Sequence, residues 1–126
     1  MEKLIEAYDE YKKAKHLLKV TYPVTKDPKL LLGVIENIHN SMHQAIAIQK
    51  QHLQSTNSQI MATLQELKEI TAAHKKSPMA FQRKDKFIIC NQDYLMKEIS
   101  APKVKQYLEQ NYQLLHDVLT LLNRNK

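Results

Sequence analysis

One glycine, one cysteine, two arginines and no tryptophan occur among the 126 residues. A chain with one glycine cannot build the many tight turns of a β-rich fold. Nor can it form a glycine-rich phosphate loop, which needs positive φ and close backbone approach. The single Cys90 has no internal partner, so no disulfide supports the fold and a reducing compartment is expected. Stability must then come from apolar packing; a domain of this length buries roughly two thirds of its unfolded surface, enough for one core. No apolar run approaches the ~20 residues of a membrane-spanning helix. The start, "MEKLIEAYDEYKK", mixes acids into an amphipathic pattern, unlike a secretory signal or transit peptide. Together these features predict one domain, residues 1–126, in the cytoplasm and away from membranes.

The charge balance is uneven in kind. Nineteen Lys and Arg face thirteen Asp and Glu, for a net charge of +6, yet only Arg83 and Arg124 carry a guanidinium. The excess suits an acidic partner such as nucleic acid, while the scarcity of Arg withholds the planar fork that reads phosphates and bases bidentately. A soluble lysine-rich surface accounts for the same numbers.

The remaining pattern is mostly helical. Leu4, Ala7, Tyr11, Ala14 and Leu18 recur at alternating spacings of three and four, with Tyr8 and Leu17 beside them, and predict a helix over 2–20. The prolines of "TYPVTKDP" should end it. Asp27-Pro28 then reads as an N-cap followed by a first-turn proline, opening a helix to about residue 54. Its apolar face is Leu31, Val34, Ile35, Ile38, Met42, Ala45, Ile46 and Leu53, with Gly33 marking a close helix crossing. "STNS" is a capped turn before a third helix over 59–75, with its seam at Ile60, Leu64, Leu67 and Ile70 or Thr71. A last helix over 101–123 carries two adjacent stripes, one through Val104, Leu108, Asn111, Leu115, Val118 and Leu122, the other through Tyr107, Leu114 and Leu121. So wide an apolar surface predicts burial on more than one side. The fold class expected is mainly all-α, an antiparallel up-down bundle of three or four helices.

Residues 77–100 break the pattern. "KFIIC" is contiguous, β-branched and aromatic, "NQD" is turn-like, and "YLMKEI" alternates. This predicts an irregular or small β-hairpin insertion before the last helix, with a further bundle helix as the competing reading. Around it cluster Lys75, Lys76, Arg83, Lys84 and Lys86, with Phe81 and Phe87 interleaved. Basic residues beside aromatics are the equipment of single-stranded nucleic-acid binders, since every base has a π-face and every nucleotide a charge. Lysines guarding a hydrophobic strand against aggregation would look the same.

Other chemistry is thinly represented. Glu36, His39 and His43 share one flank of a helix, and Glu-x-x-His is the pair that supplies ligands to carboxylate-bridged di-iron sites in bundles. Glu66 and Glu69 have no His three residues on, and Glu109 has Tyr112 there, so the second pair is missing. A zinc site would need a third ligand such as His16 or His116. Cys90, beside Phe87, Ile88 and Ile89, reads as a buried inert thiol, and no Ser sits in a nucleophile elbow. No cofactor is expected.

"AYDEYKKAKHLL", followed by a long helix with "NSMHQAIAI", resembles the first two helices of HEPN-type domains, small helical bundles of prokaryotic defence and toxin–antitoxin systems that are often dimeric. In that family the second helix commonly carries tyrosine-x-Met-x-His-Ala-x-x-Ala, echoed here by Met42, Ala45 and Ala47. Active members cleave RNA with an Arg followed closely by a His on a late helix. Here Arg83 is followed by "KDKFIIC", and His116 precedes Arg124. The resemblance therefore implies a catalytically silent member. The functional expectation is a non-enzymatic interaction protein, self-associating as a homo-oligomer (a dimer) or engaging a protein partner through its helix faces. The alternatives are RNA or single-stranded nucleic-acid binding through residues 75–86, and metal binding at Glu36, His39 and His43.

Overall fold

The fold, obtained as a computed structural model, is described for residues 2–76, 79–83, 86–90 and 96–124, with residues 75, 76, 79–83, 86, 87, 90 and 96 given by their backbone alone. Among them the seams fold as the helical spacing requires. Helix α1 spans Glu2–His16, α3 Leu30–Gln51, α4 Ser58–Lys76 and α5 Ala101–Arg124. The hydroxyl of Ser41 on α3 donates to the Ala7 carbonyl of α1 at 2.7 Å, Thr63 on α4 bonds Gln110 on α5, and Lys103 on α5 meets Glu66 on α4 at 2.6 Å. Thr63–Gln110 and Glu66–Lys103 run in opposite order along α4 and α5, and Ser41–Ala7 with the approach of Leu17 to Gly33 does the same for the first helical path and α3, so both pairs are antiparallel. The result is an up-down-up-down four-helix bundle, with α3 and α5 as the parallel diagonal pair that fills its centre.

Pro23 does not end the first helix. The chain passes through a π-helical turn, Leu17–Thr21, into a last short helix α2, Tyr22–Thr25. In an α-helix the proline ring collides with the carbonyl four residues back. The wider π turn, in which the Tyr22 N–H reaches the Leu17 carbonyl, makes room for it. The path stops at Lys26, left-handed at φ 54°, whose N–H bonds the Tyr22 carbonyl at 2.7 Å. Asp27 makes the expected side-chain bond, its Oδ1 accepting from the Lys29 N–H at 3.0 Å, but it does so ahead of the helix: a tight turn over Pro28 and Lys29 follows, and α3 starts at Leu30 with Lys29, not Asp27, at its N-cap. Asn57 directly precedes α4 and caps it, accepting the Gln59 N–H at 2.7 Å.

The core is the set of seam residues. Leu4, Ala7, Leu31, Ile35, Ile38, Met42, Leu67, Ile70, Val104, Leu115 and Val118 are all essentially inaccessible. Both stripes of α5 are covered within one chain as far as Val118, by α1, α3 and α4, through Tyr107, Leu108 and Leu114 as well, while Leu121 and Leu122 in the last turn are half-buried. The width of that surface is therefore accounted for without a second copy.

Two apolar positions depart from expectation. Leu53 is no part of the α3 face; it is 95% exposed and left-handed at φ 57°. The Leu53 N–H bonds the Lys50 carbonyl at 3.2 Å, and the Gln54 N–H bonds the Gln49 carbonyl at 2.9 Å. That is a Schellman cap with leucine where glycine ordinarily stands. Gly33 marks no forced crossing either. A Cβ added there would lie 3.6 Å from Leu17 Cδ1, an ordinary contact. Glycine inside a helix costs about 0.5–1 kcal/mol relative to alanine. Gly33→Ala should therefore raise stability by about that amount in urea denaturation; a loss of stability would show that the π turn cannot take one more methyl.

The insertion is a three-stranded antiparallel meander: β1 Met79–Arg83, β2 Lys86–Cys90 and β3 Met96–Ser100, in that order across the sheet. The expected hairpin is β2 with β3, Phe87 opposite Ile99 and Ile89 opposite Lys97. The first strand, "MAFQR", adds an outer member that the sequence pattern did not announce. Ile89 and Ile99 are buried against the helices, and Lys97 of the same face pairs with Glu69 on α4 at 3.2 Å. These contacts close the sheet over the end of the bundle where α4 stops and α5 starts.

Candidate functional site

Of the basic stretch, Lys84 lies outside the described residues and the others are placed by backbone alone. Lys75 and Lys76 finish α4, Phe81 and Arg83 sit on β1, and Lys86 opens β2, paired with Arg83 in the register. The side chains of the metal reading, Glu36, His39 and His43, are better defined. Glu36 and His43 are exposed and His39 is half-buried. The rings of His39 and His43 lie nearly parallel with centroids 6.1 Å apart. His116 stands elsewhere, in a polar cleft of about 580 Å³ at the far end of the bundle with Gln49, Thr56, Asp117 and Arg124. Among the described residues no three His, Cys, Asp or Glu converge as a metal-holding group.

The antiparallel packing of α1 on α5 creates a feature that neither helix shows alone. Tyr11, Lys15 and Lys19 are spaced by four along one face, and α5 brings Lys105, Glu109 and Tyr112 to meet them. They line a groove of about 480 Å³ with Leu108 at its base. The rings of Tyr11 and Tyr112 are 5.8 Å apart at 41°, a tilted aromatic pair, with Tyr112 half exposed to solvent. Lys15, Lys19 and Lys105 are all exposed. Among the described residues none of the three lies within ion-pair distance of a carboxylate, whereas Lys13, Lys97 and Lys103 do. The groove thus presents three cations against one acid, Glu109.

The phenols are held neutral. Burial, and then the neighbouring Tyr112, push the Tyr8 and Tyr11 hydroxyls above the ordinary tyrosine value, with Tyr8 adding to the effect on Tyr11. They remain hydrogen-bond donors throughout the physiological range, which suits phosphate oxygens. Below the groove, α5 is pinned to α4 by the Glu66–Lys103 pair, with the lysine 6.0 Å over the Tyr107 ring. Burial draws the Glu66 carboxyl upward, but Lys103, Tyr107 and Lys97 outweigh it and hold the carboxyl below its ordinary value. Burial and then the Glu66 carboxylate push the Tyr107 hydroxyl up. This cluster fixes the first turns of α5 and so the position of Lys105.

Charge is distributed to match. The described residues of segments 12–36 and 66–109, which lie toward the sheet, include fourteen Lys and Arg against six Asp and Glu. The three groove lysines belong to that half. Sequence reading placed Tyr11 in a seam and the lysines on a solvent face. The signal for the groove was the four-residue spacing of Tyr11, Lys15 and Lys19, which carries meaning only once α5 is known to lie alongside.

Among the described residues no helix is long and apolar enough to cross a membrane. No protein-family model, curated protein or solved structure matches the chain.

Proposed function

We propose that the protein is a non-enzymatic binding module for single-stranded nucleic acid, held in the groove between α1 and α5. The observation that carries this reading is the convergence of three unpaired lysines from two helices around the Tyr11–Tyr112 pair. A single strand offers flexible phosphates at short spacing and unstacked bases. Lysines answer the first without sequence preference, and a half-exposed tyrosine ring answers the second. A duplex would hide the base faces from Tyr112. The basic sheet at the same end of the molecule, with Arg83, Lys84 and Lys86 in its sequence, would extend the contact beyond the groove.

Fluorescence anisotropy of labelled single-stranded RNA across a salt series tests the proposal. Three phosphates neutralised on a single strand give a slope of log K against log salt of about −2. The Lys15→Ala, Lys19→Ala, Lys105→Ala variant should flatten that slope. Tyr112→Ala should weaken binding by about 1–3 kcal/mol and leave the slope intact, because stacking releases no counterions, and Tyr112→Phe should bind like the parent. Unchanged affinity in the triple-lysine variant would remove the groove as the site. Loss confined to an Arg83→Ala, Lys84→Ala, Lys86→Ala variant would move it to the sheet.

A further inference from the structure

We propose that the groove prefers guanine, the Glu109 carboxylate accepting hydrogen bonds from the Watson–Crick edge of a guanine stacked on Tyr112. The inference rests on the reading of the groove as a single-strand site and adds a base preference to it.

Among the described residues that line the groove Glu109 is the one acid, and it is exposed there with Lys15, Lys19 and Lys105. Among the described residues it takes part in no ion pair, although three lysines share the groove with it. A carboxylate that no lysine holds keeps its oxygens available as acceptors. It also repels phosphates, which the lysines around it attract. The backbone of a bound strand therefore follows Lys15, Lys19 and Lys105, and its bases face Glu109.

The geometry of α5 brings Glu109 to the stacking ring. Glu109 and Tyr112 stand three residues apart on one helix, a spacing that makes them surface neighbours with Cβ atoms about 5–6 Å apart. Helical side chains lean toward the N-terminus, so Tyr112 covers the turn from which Glu109 projects. The Tyr112 ring is half exposed, with Tyr11 beside it at 5.8 Å, and its open face is where a base would stack. A glutamate one turn away meets the edge of that base.

The chemistry of the carboxylate selects among the bases. Ionised, it only accepts. Guanine presents two adjacent donors, N1–H and the N2 amino group, which match the two carboxylate oxygens. Adenine and cytosine offer an amino donor beside a ring-nitrogen acceptor. Uracil sets its N3–H between two carbonyl oxygens, which the carboxylate repels. Of the four bases, guanine alone satisfies both oxygens.

Fluorescence anisotropy with two labelled RNA nonamers, one all uridine and one with a central guanosine, tests this at low salt. The parent should bind the guanosine nonamer about five- to tenfold more tightly. Inosine at the centre, which lacks the N2 amino group, should lose part of that preference. Glu109→Gln keeps the size of the side chain but loses the charge and one acceptor. It should bring the two affinities within about twofold of each other, while the uridine nonamer binds better because its phosphates are no longer repelled. A change of both affinities by one factor, with their ratio intact, would overturn the proposal. So would a parent that binds both nonamers equally: if the triple-lysine variant then weakens both, the groove stands as the site and only the guanine preference falls. Failure of the parent to bind either nonamer would overturn the two together.

Discussion

Ile38→Ala is expected to cost about 2–5 kcal/mol in urea denaturation, against a total stability of about 5–15 kcal/mol for a domain of this size. Ile38 lies at the middle of α3, the helix that packs against α1, α4 and α5 together, and its side chain is fully inaccessible. Removing most of it forfeits the transfer of the lost atoms from water. It also leaves a cavity that three neighbouring helices would have to shift to fill. Leu53→Ala deletes almost as much apolar surface but should change the stability of the monomer by less than about 0.5 kcal/mol, since Leu53 is exposed and touches no core. The pair of midpoints, read at equal denaturant slope, separates burial from hydrophobicity. Comparable losses at both positions would mean that the α3–α4 turn packs more tightly than its exposure indicates.

That contrast shows where sequence reading succeeds and where it stops. The helical seams were legible because burial is periodic: Leu31 through Ile46 on α3 and Val104 through Val118 on α5 follow the spacing of a helix face, and nearly every expected residue is buried. The cap at Asn57 and the Asp27 turn ahead of α3 were legible because both side chains act on amides two residues away, although the helix after Asp27 starts at Leu30 rather than Pro28. Leu53 was misplaced because periodicity continues past a helix end that is set by backbone hydrogen bonds, here a Schellman turn without its usual glycine. Pro23 misled for a related reason: its rule assumes an α-helix, and a π turn relaxes it. The groove could not be read at all from one helix. Tyr11 and Tyr112 are far apart in sequence, and only the antiparallel packing of α1 on α5 makes them neighbours. The basic stretch was conspicuous by its density, whereas the groove lysines were diluted among helix-face charges.

Asn111→Asp should make stability fall as pH rises, by far more than any surface change. Asn111 and Ser41 are both fully buried. The Asn111 Nδ2 donates to Ser41 Oγ at 2.9 Å, and that hydroxyl donates in turn to the Ala7 carbonyl at 2.7 Å, so one chain of hydrogen bonds ties α5 to α3 and α1. The Asn111 Oδ1 is buried without a hydrogen-bond partner. A carboxylate in this place would have no donor except the one already given to Ala7, and no cation takes part in the chain of bonds. Its folded pKa must therefore rise above the ordinary aspartate value of about 3.9, by up to about 3–5 units for a fully buried group. A raised folded pKa means that the native state holds a proton the unfolded state has released. The variant should approach the parent below pH ~4, where the protonated carboxyl can donate to Ser41 as the amide did. It should then lose about 1.4 kcal/mol per pH unit until the folded group ionises, reaching about 4 kcal/mol near neutral pH. Asn111→Leu supplies the control: it deletes the unpartnered Oδ1 and leaves the Ser41–Ala7 bond in place, so its difference from the parent should be small and flat with pH. If the stability difference between Asn111→Asp and the parent stayed constant from acid to neutral pH, the site would be admitting water, and the three-helix hydrogen-bond chain would lie at a wet seam rather than in a dry core.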